Sequence, residues 1–460
     1  MDLKTRIKNY TRTQTIKGLF NLLPKLSNKN LVKMTYVAEK LAEADWTKAQ
    51  LRAVRGYFQE DHPAVEFARR IVRGLSPNCR DKFVRNFIIN SGITGLNKHT
   101  EYTKKHGYEP PWFILFSPTM RCNLKCTGCS TREYTKDTDL PLEIMDRVLT
   151  EAKKDMGVYF VVTEGGETFV REDLLDFYAR HNDVFFQVYT NGTLIDKKMA
   201  ARLAKLGNVA PAISVEGFEQ ETDQRRGKGV WGKVMQAMDN LKEAGVFFGF
   251  SATLHRHNAD VVTSDEFFDF MINKGCYFGW YFQYIPLGKN PDISLMATPQ
   301  QRNKLRESII RVRRRRPLFI GDFWNDGPYV KGCIAARQYL HINNRGDVEP
   351  CAFMHFTVDN IRNKTLKEIM ESPFFKAIRE RQNAQEAPAA HSDNMLTPCC
   401  VIDQPWVLRE LVKEHGARPT DGAGDILEGY VARALDEYSK KLHEIYDPIW
   451  KNDYTKFHEK

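Results

Sequence analysis

The sequence predicts an α/β protein: a strand–helix array curling into a partial (β/α)6 barrel, preceded by a helical region and followed by a small irregular unit. Three observations carry this. Six short aromatic and β-branched runs alternate with helical patterns between residues 111 and 327. Residues 1–110 show only three- and four-residue apolar spacing, with no strand pattern. After Gly327 the periodicity becomes irregular. The 460 residues, 42% hydrophobic and 27% charged, are enough for about three domains with cores that need no disulfides, which excludes a disordered chain or a mini-scaffold.

In chain order, helices are expected at Thr15–Leu26, Asn30–Ala44, Lys48–Phe58, Pro63–Leu75 and Arg80–Ile89. Buried strands follow at Trp112–Ser117, Tyr159–Thr163, Phe185–Thr190, Ala210–Val215, Phe247–Leu254 and Tyr277–Ile285. Between them lie helical patterns such as Asp196–Leu206 and Val230–Ala244, closed by Gly207 and Gly245. Right-handed crossovers make the strands parallel, and the loops after their C-terminal ends form the expected site. A basic helix, Thr298 to about Arg316, stops at Pro317. Tyr339–Glu349 reads as a hairpin turning at Asn344-Arg345-Gly346, and Trp406–Lys413 and Ile426–Ile445 as terminal helices.

No run reaches the ~18 apolar residues of a membrane span. The N-terminus lacks an apolar core with a cleavage site, so a cytoplasmic protein is expected. Residues 1–110 hold 21 Lys/Arg against 10 Asp/Glu, so the net charge of +10 resides there. Bulky residues beside lysines in Ile16–Leu26 suit a helix on an anionic membrane surface, peripheral to its inner face, or one gripping an acidic peptide; docking on the chain's own domain is the plainer reading. Aromatic-interleaved basic runs are missing, which argues against nucleic acid as a partner.

The strongest motif is Cys122-Asn-Leu-Lys-Cys126-Thr-Gly-Cys129, just after the first strand run. Three thiolates in one short loop can ligate three irons of a [4Fe–4S] cube and leave the fourth open, whereas a zinc knuckle needs a fourth nearby ligand. This CxxxCxxC loop, in this alternating pattern, resembles the radical S-adenosylmethionine (radical SAM) superfamily from about Pro111 to Leu287. The resemblance implies a [4Fe–4S] cluster bound to S-adenosylmethionine. It also implies cofactor contacts from Gly165-Gly166-Glu167, whose usual following Pro is Thr168 here, and from Asn191, Ser214 in Ser-Val-Glu216-Gly, and Arg226.

Cys333, Gly346 and Cys351, with Cys399 and Cys400 beyond, resemble the opening of SPASM and twitch extensions, which hold auxiliary clusters. The full SPASM cysteine run is missing, so one auxiliary [4Fe–4S] cluster is expected. Adjacent side chains diverge, so Cys399 or Cys400 is expected to be a spectator, with His355 or a substrate atom as the alternative fourth ligand. The domains expected are a basic helical region (1–110), the barrel (111–327), an auxiliary cluster domain (328–402) and C-terminal helices (403–460).

By the same resemblance the chain is an enzyme. A reduced cluster, supplied by an external flavodoxin- or ferredoxin-type donor, cleaves S-adenosylmethionine to a 5′-deoxyadenosyl radical that abstracts hydrogen from a C–H bond. The expected substrate is a peptide or protein; the alternatives are a lipid or small metabolite, or a non-enzymatic electron carrier. Barrel-facing candidates are His255, Tyr281, Gln283, Tyr284, Asn325, Asp326 and, as the preferred catalytic proton acceptor, Asp322 beside Trp324.

Overall fold

The computed structural model describes residues 14, 17–18, 20–41, 45–129, 139–288, 291–382, 394–420 and 423–454. Its centre is a curved parallel sheet. Strands β1 (Phe113–Phe116), β2 (Phe160–Thr163), β3 (Phe185–Thr190), β4 (Val209–Val215), β5 (Gly249–Leu254) and β6 (Phe278–Gln283) neighbour one another in chain order, all parallel. All six strand runs expected from sequence are present, and helices on the outer face connect them.

A seventh parallel strand, β7 (Phe319–Asp322), adds to β6 and was not foreseen. Its run is only four residues long and contains Gly321, which weakens any strand signal. The glycine is required by packing, since a Cβ there would lie 2.4 Å from Trp280 Cζ3.

On the other edge, β8 (Tyr339–Ile342) pairs in parallel with β1, Phe113 opposite Tyr339. β9 (Asp347–Glu349) folds back on β8 as the expected hairpin, and β11 (Asp359–Asn360) pairs with β9. The small second unit is therefore continuous with the barrel sheet. β10 (Phe356–Thr357) pairs separately with β12 (Arg418–Pro419).

Among the described residues, the region before β1 is wholly helical, and it closes the end of the barrel where the strands begin. Phe83 packs 5.9 Å from Phe185 and 4.8 Å from Phe247, and Phe87 sits 5.8 Å from Phe160. These partners stand at or next to strand N-termini. The same region caps the C-terminal carbonyls of the outer helices, where the helix dipole favours donors and cations. Arg70 donates to Ile272 O, Cys276 O and Pro317 O, Asn78 to Ala204 O and Lys205 O, and Lys98 to Lys153 O.

Part of the basic charge is thus structural. Lys17 pairs with Asp81 and Phe20 rests on Phe83, so the described part of Ile16–Leu26 docks on the chain itself; Leu19 lies outside the described residues. The basic helix end is also paired internally, Arg313 with Asp326 and Arg316 with Asp269. No helix among the described residues is long and apolar enough to cross a membrane.

Candidate active site

The three-cysteine loop is held by the turn after β2. Glu164 N donates to Phe116 O, Gly166 N to Thr119 O and Glu167 N to Arg121 O, at 2.7–2.9 Å, so the turn runs as a ladder along the segment leading into Cys122. The approach demands glycine. A Cβ at Gly165 would lie 2.4 Å from Thr119 O, and one at Gly166 would lie 2.2 Å from Arg121 O.

Glu167 faces away from the cavity. Its buried carboxylate accepts from Thr190 Oγ1 (2.6 Å), Asn191 N (2.7 Å) and Phe169 N (3.1 Å), tying the end of β3 to the turn. Asn191 then reaches the cysteine loop, donating to Asn123 Oδ1 at 2.8 Å and standing 3.8 Å from Cys122 Sγ. Burial pushes the Cys122 thiol up to about 11.

The turn after β4 approaches from the other side. Arg225 and Arg226 both donate to one oxygen of Glu216, Oε1, at 2.5–2.9 Å, and Thr127 N donates to Arg225 O at 2.8 Å. Burial alone would raise the Glu216 carboxyl, but the two guanidinium groups prevail and hold it below its usual range. Glu216 Oε2 and Arg225 Nε are buried without partners. Burial raises the Cys126 thiol and the Arg226 charge opposes this, which places the cation beside the cysteines.

These groups line one cavity of about 300 Å³ on the inner face of the barrel. Cys122, Cys126, Cys129, Gly165, Gly166, Asn191, Ser214 and Arg226, all expected from sequence, border it together. The rest of the wall comes from alternate strand positions, such as Phe160, Val162 and Glu164 on β2 and its end, and Trp280 and Phe282 on β6. Sequence reading missed Glu164, Gln187, Trp280, Phe282, Phe353 and His341. For Gln187, Trp280 and Phe282 the two-residue alternation within the strand runs was the signal that could have found them; Phe353 and His341 carry no such local signal.

Gln283 and Tyr284 also line the cavity. Tyr281, His255, Asp322, Asn325 and Asp326 do not. Tyr281 donates to Val262 O behind the sheet, and His255 is buried near Glu216. Asp322, the expected proton acceptor, is instead a turn anchor. Its oxygens accept from Trp324 N, Asn325 N and Asn325 Nδ2, while burial and the neighbouring Asp326 push it up to about 6.

Cys333, Cys351, Cys399 and Cys400 form a second group. Burial raises all four thiols, Cys399 to about 12, and mutual repulsion adds to this for Cys351, Cys399 and Cys400. Both adjacent cysteines feel the charge of Cys333. Cys399 N donates to Asp403, whose carboxylate is gripped by the fully buried Arg302. Cys333 and Cys400 border a separate cavity of about 580 Å³.

Both donor sets suit iron–sulfur clusters. All seven cysteines are free of disulfides, and buried like-charged thiolates with space beside them need a cation core to be stable. Between the groups stands Tyr339, which lines the barrel cavity and donates to Cys351 Sγ at 2.7 Å.

Comparison with known proteins agrees with this geometry. Residues 116–267 match the Radical SAM superfamily, and residues 333–399 match the SPASM iron–sulfur cluster-binding domain. The chain is 28% identical over 233 residues to the Fe-coproporphyrin III synthase of Methanosarcina barkeri, covering 47% of this chain but only 57% of that relative. It is 28% identical over 356 residues to the mycofactocin maturase MftC of Mycolicibacterium smegmatis, covering 72% and 87%. Streptococcus suis SuiB bound to S-adenosylmethionine shares the fold, with TM-score 0.54, 22% identity, and 66% of this chain and 76% of that one covered. SuiB has also been solved with its precursor peptide SuiA, with TM-score 0.52, 22% identity, and coverage of 62% and 71%.

Proposed function

We propose that the chain is a radical SAM enzyme with a SPASM domain, as the two family matches support, and that its substrate is a peptide or protein side chain whose C–H bond is opened in the barrel cavity. When bound, the cluster and S-adenosylmethionine supply a 5′-deoxyadenosyl radical, and the auxiliary cluster supplies an electron acceptor. Cys122, Cys126 and Cys129 would hold the first group, and Cys333, Cys351 and either Cys399 or Cys400 the second.

The chain's own residues bind, orient and exclude water. Gly165, Gly166, Asn191, Ser214 and Arg226 border the cavity and would hold S-adenosylmethionine there, the Arg226 cation, itself paired with Glu216, lending positive charge toward a carboxylate. Trp280, Phe282, Phe323 and Phe353 keep the chamber dry, which protects a reactive intermediate from quenching. An external flavodoxin- or ferredoxin-type protein delivers the electron.

Tyr339 is the observation that carries an oxidative outcome, because one ring spans the substrate chamber and the auxiliary cysteines. The relatives, among them a maturase and a protein solved with its precursor peptide, support the peptide class. The small-metabolite reading rests on the synthase relative.

The test uses cluster-loaded protein, reductant, S-adenosylmethionine and fractions of a deuterium-grown lysate. Deuterium entering 5′-deoxyadenosine should follow the peptide fraction and vanish after complete proteolysis. Deuterium that follows the lipid or small-molecule fraction and survives proteolysis overturns the peptide reading.

A further inference from the structure

One group of side chains on the cavity wall has no part in the reading above. His341 on β8, Glu349 on β9 and His355 just beyond bring three ligand atoms within 4.8 Å of one another, all from buried residues. His341 Nδ1 lies 2.8 Å and His355 Nδ1 3.0 Å from the same oxygen, Glu349 Oε2. Two of the three separations are thus near 3 Å, the spacing of atoms that share one ion at ~2.0–2.2 Å.

The surrounding groups are arranged as an orienting shell. His341 Nε2 is bound to Ser117 Oγ at 2.7 Å, leaving Nδ1 to face Glu349. The other oxygen of Glu349 accepts from Thr420 Oγ1 (2.6 Å) and Asn343 Nδ2 (3.1 Å), which turns Oε2 toward the imidazoles. Metal-ligating histidines and carboxylates are held in this way through their far atoms. Glu349 is fully buried, and among the described residues no Lys or Arg pairs with it. Its charge faces only the two imidazoles, and a cation held between the three would neutralise it.

We propose that His341, Glu349 and His355 bind one divalent transition-metal ion, in a site distinct from both cysteine groups. Two imidazoles and one carboxylate are borderline donors suited to zinc or ferrous iron, and three ligands leave open positions. His341 and His355 border the barrel cavity beside Glu164, so the open positions face the substrate chamber. The ion's place is to hold an oxygen or nitrogen of the substrate. This site stands whether the substrate is a peptide or not.

The test measures zinc, iron and sulfide in the full-length, cluster-loaded protein after anaerobic exposure to Zn²⁺ and desalting. The expected result is about one zinc per chain, with a zinc-edge X-ray absorption shell of N/O atoms at ~2.0–2.1 Å rather than sulfur at ~2.3 Å. His341→Ala with His355→Ala should lose that zinc while keeping iron and sulfide. Glu349→Gln, which preserves the side chain's shape, should retain less than about a tenth of it, guarding against misfolding of the double variant. Wild-type protein that takes up no zinc overturns the site, as does zinc that is sulfur-bound or persists in both variants.

Discussion

The two ends of the barrel are built from the same strands and are closed to different degrees. At the end where the strands begin, aromatic rings from Phe83 and Phe87 fill the opening, and Arg70, Asn78 and Lys98 satisfy carbonyls of the outer layer, although Asn86 Oδ1 and Asn208 Oδ1 stay unpartnered. At the other end, glycines bring backbones into contact, two arginines crowd one carboxylate oxygen, and Glu216 Oε2, Arg225 Nε and Gln283 Nε2 lie without partners around an open cavity. Unpaired buried groups cost stability, and native proteins tolerate them where a ligand completes the set. One end is closed for the fold, the other left incomplete for a guest.

Breaking each end separately tests that division. The largest effect is expected from replacing Cys122, Cys126 and Cys129 together with Ala. S-adenosylmethionine cleavage, followed as 5′-deoxyadenosine, should fall below detection, and iron should drop from about eight to about four per chain. Cleavage in the triple variant, or wild-type iron near four, would remove one of the two clusters.

Next is Phe83→Ala at the closed end. It should cost about 3–5 kcal/mol in denaturant unfolding while leaving S-adenosylmethionine affinity of the folded protein unchanged. A change in affinity would mean that the two ends are coupled. Arg226→Gln should do the converse, weakening S-adenosylmethionine binding by roughly 10- to 100-fold in equilibrium dialysis, as loss of a charged hydrogen bond worth ~1.5–3 kcal/mol requires.

A smaller effect separates the ends by pH. His99, packed on Trp112 in the helical region, is lowered from its usual 6.5 to about 4, chiefly by burial. A histidine lowered in the folded state adds stability that is complete above pH 6.5 and lost as pH falls toward 4. His99→Phe should flatten the stability curve between those limits by up to about 3 kcal/mol, read from urea midpoints. Smallest of all, Lys17→Ala breaks a partly exposed ion pair and should shift stability by less than about 1 kcal/mol. A much larger loss would give the first helix a greater share in closing the barrel.

The six barrel strands were legible because their apolar runs are short, β-branched and punctuated by Gly-ended helices. The cysteine loop and the glycine turn were legible because they are local in sequence. What was not legible is what the chain assembles from a distance. Tyr339 and His341 read only as hairpin residues, since nothing in their spacing tells that β8 lies against β1. Asp322 looked reactive beside Trp324, yet a carboxylate two to three residues before free amides caps its own turn. Which N-terminal polar residues cap carbonyls was not legible either, because those carbonyls lie a hundred or more residues away for Asn78 and Arg70.

The pairing of β8 with β1 also sets a schedule. Tyr339 is synthesised 226 residues after Phe113, so at ~5–20 residues per second the edge of β1 waits roughly 10–45 s for its neighbour. Through that interval Cys122, Cys126 and Cys129, on the loop leaving β1, sit beside an unzipped edge, accessible to whatever inserts iron and sulfide. Arrival of β8 completes that edge, and the hairpin that follows carries Cys351 into place beyond the end of β9.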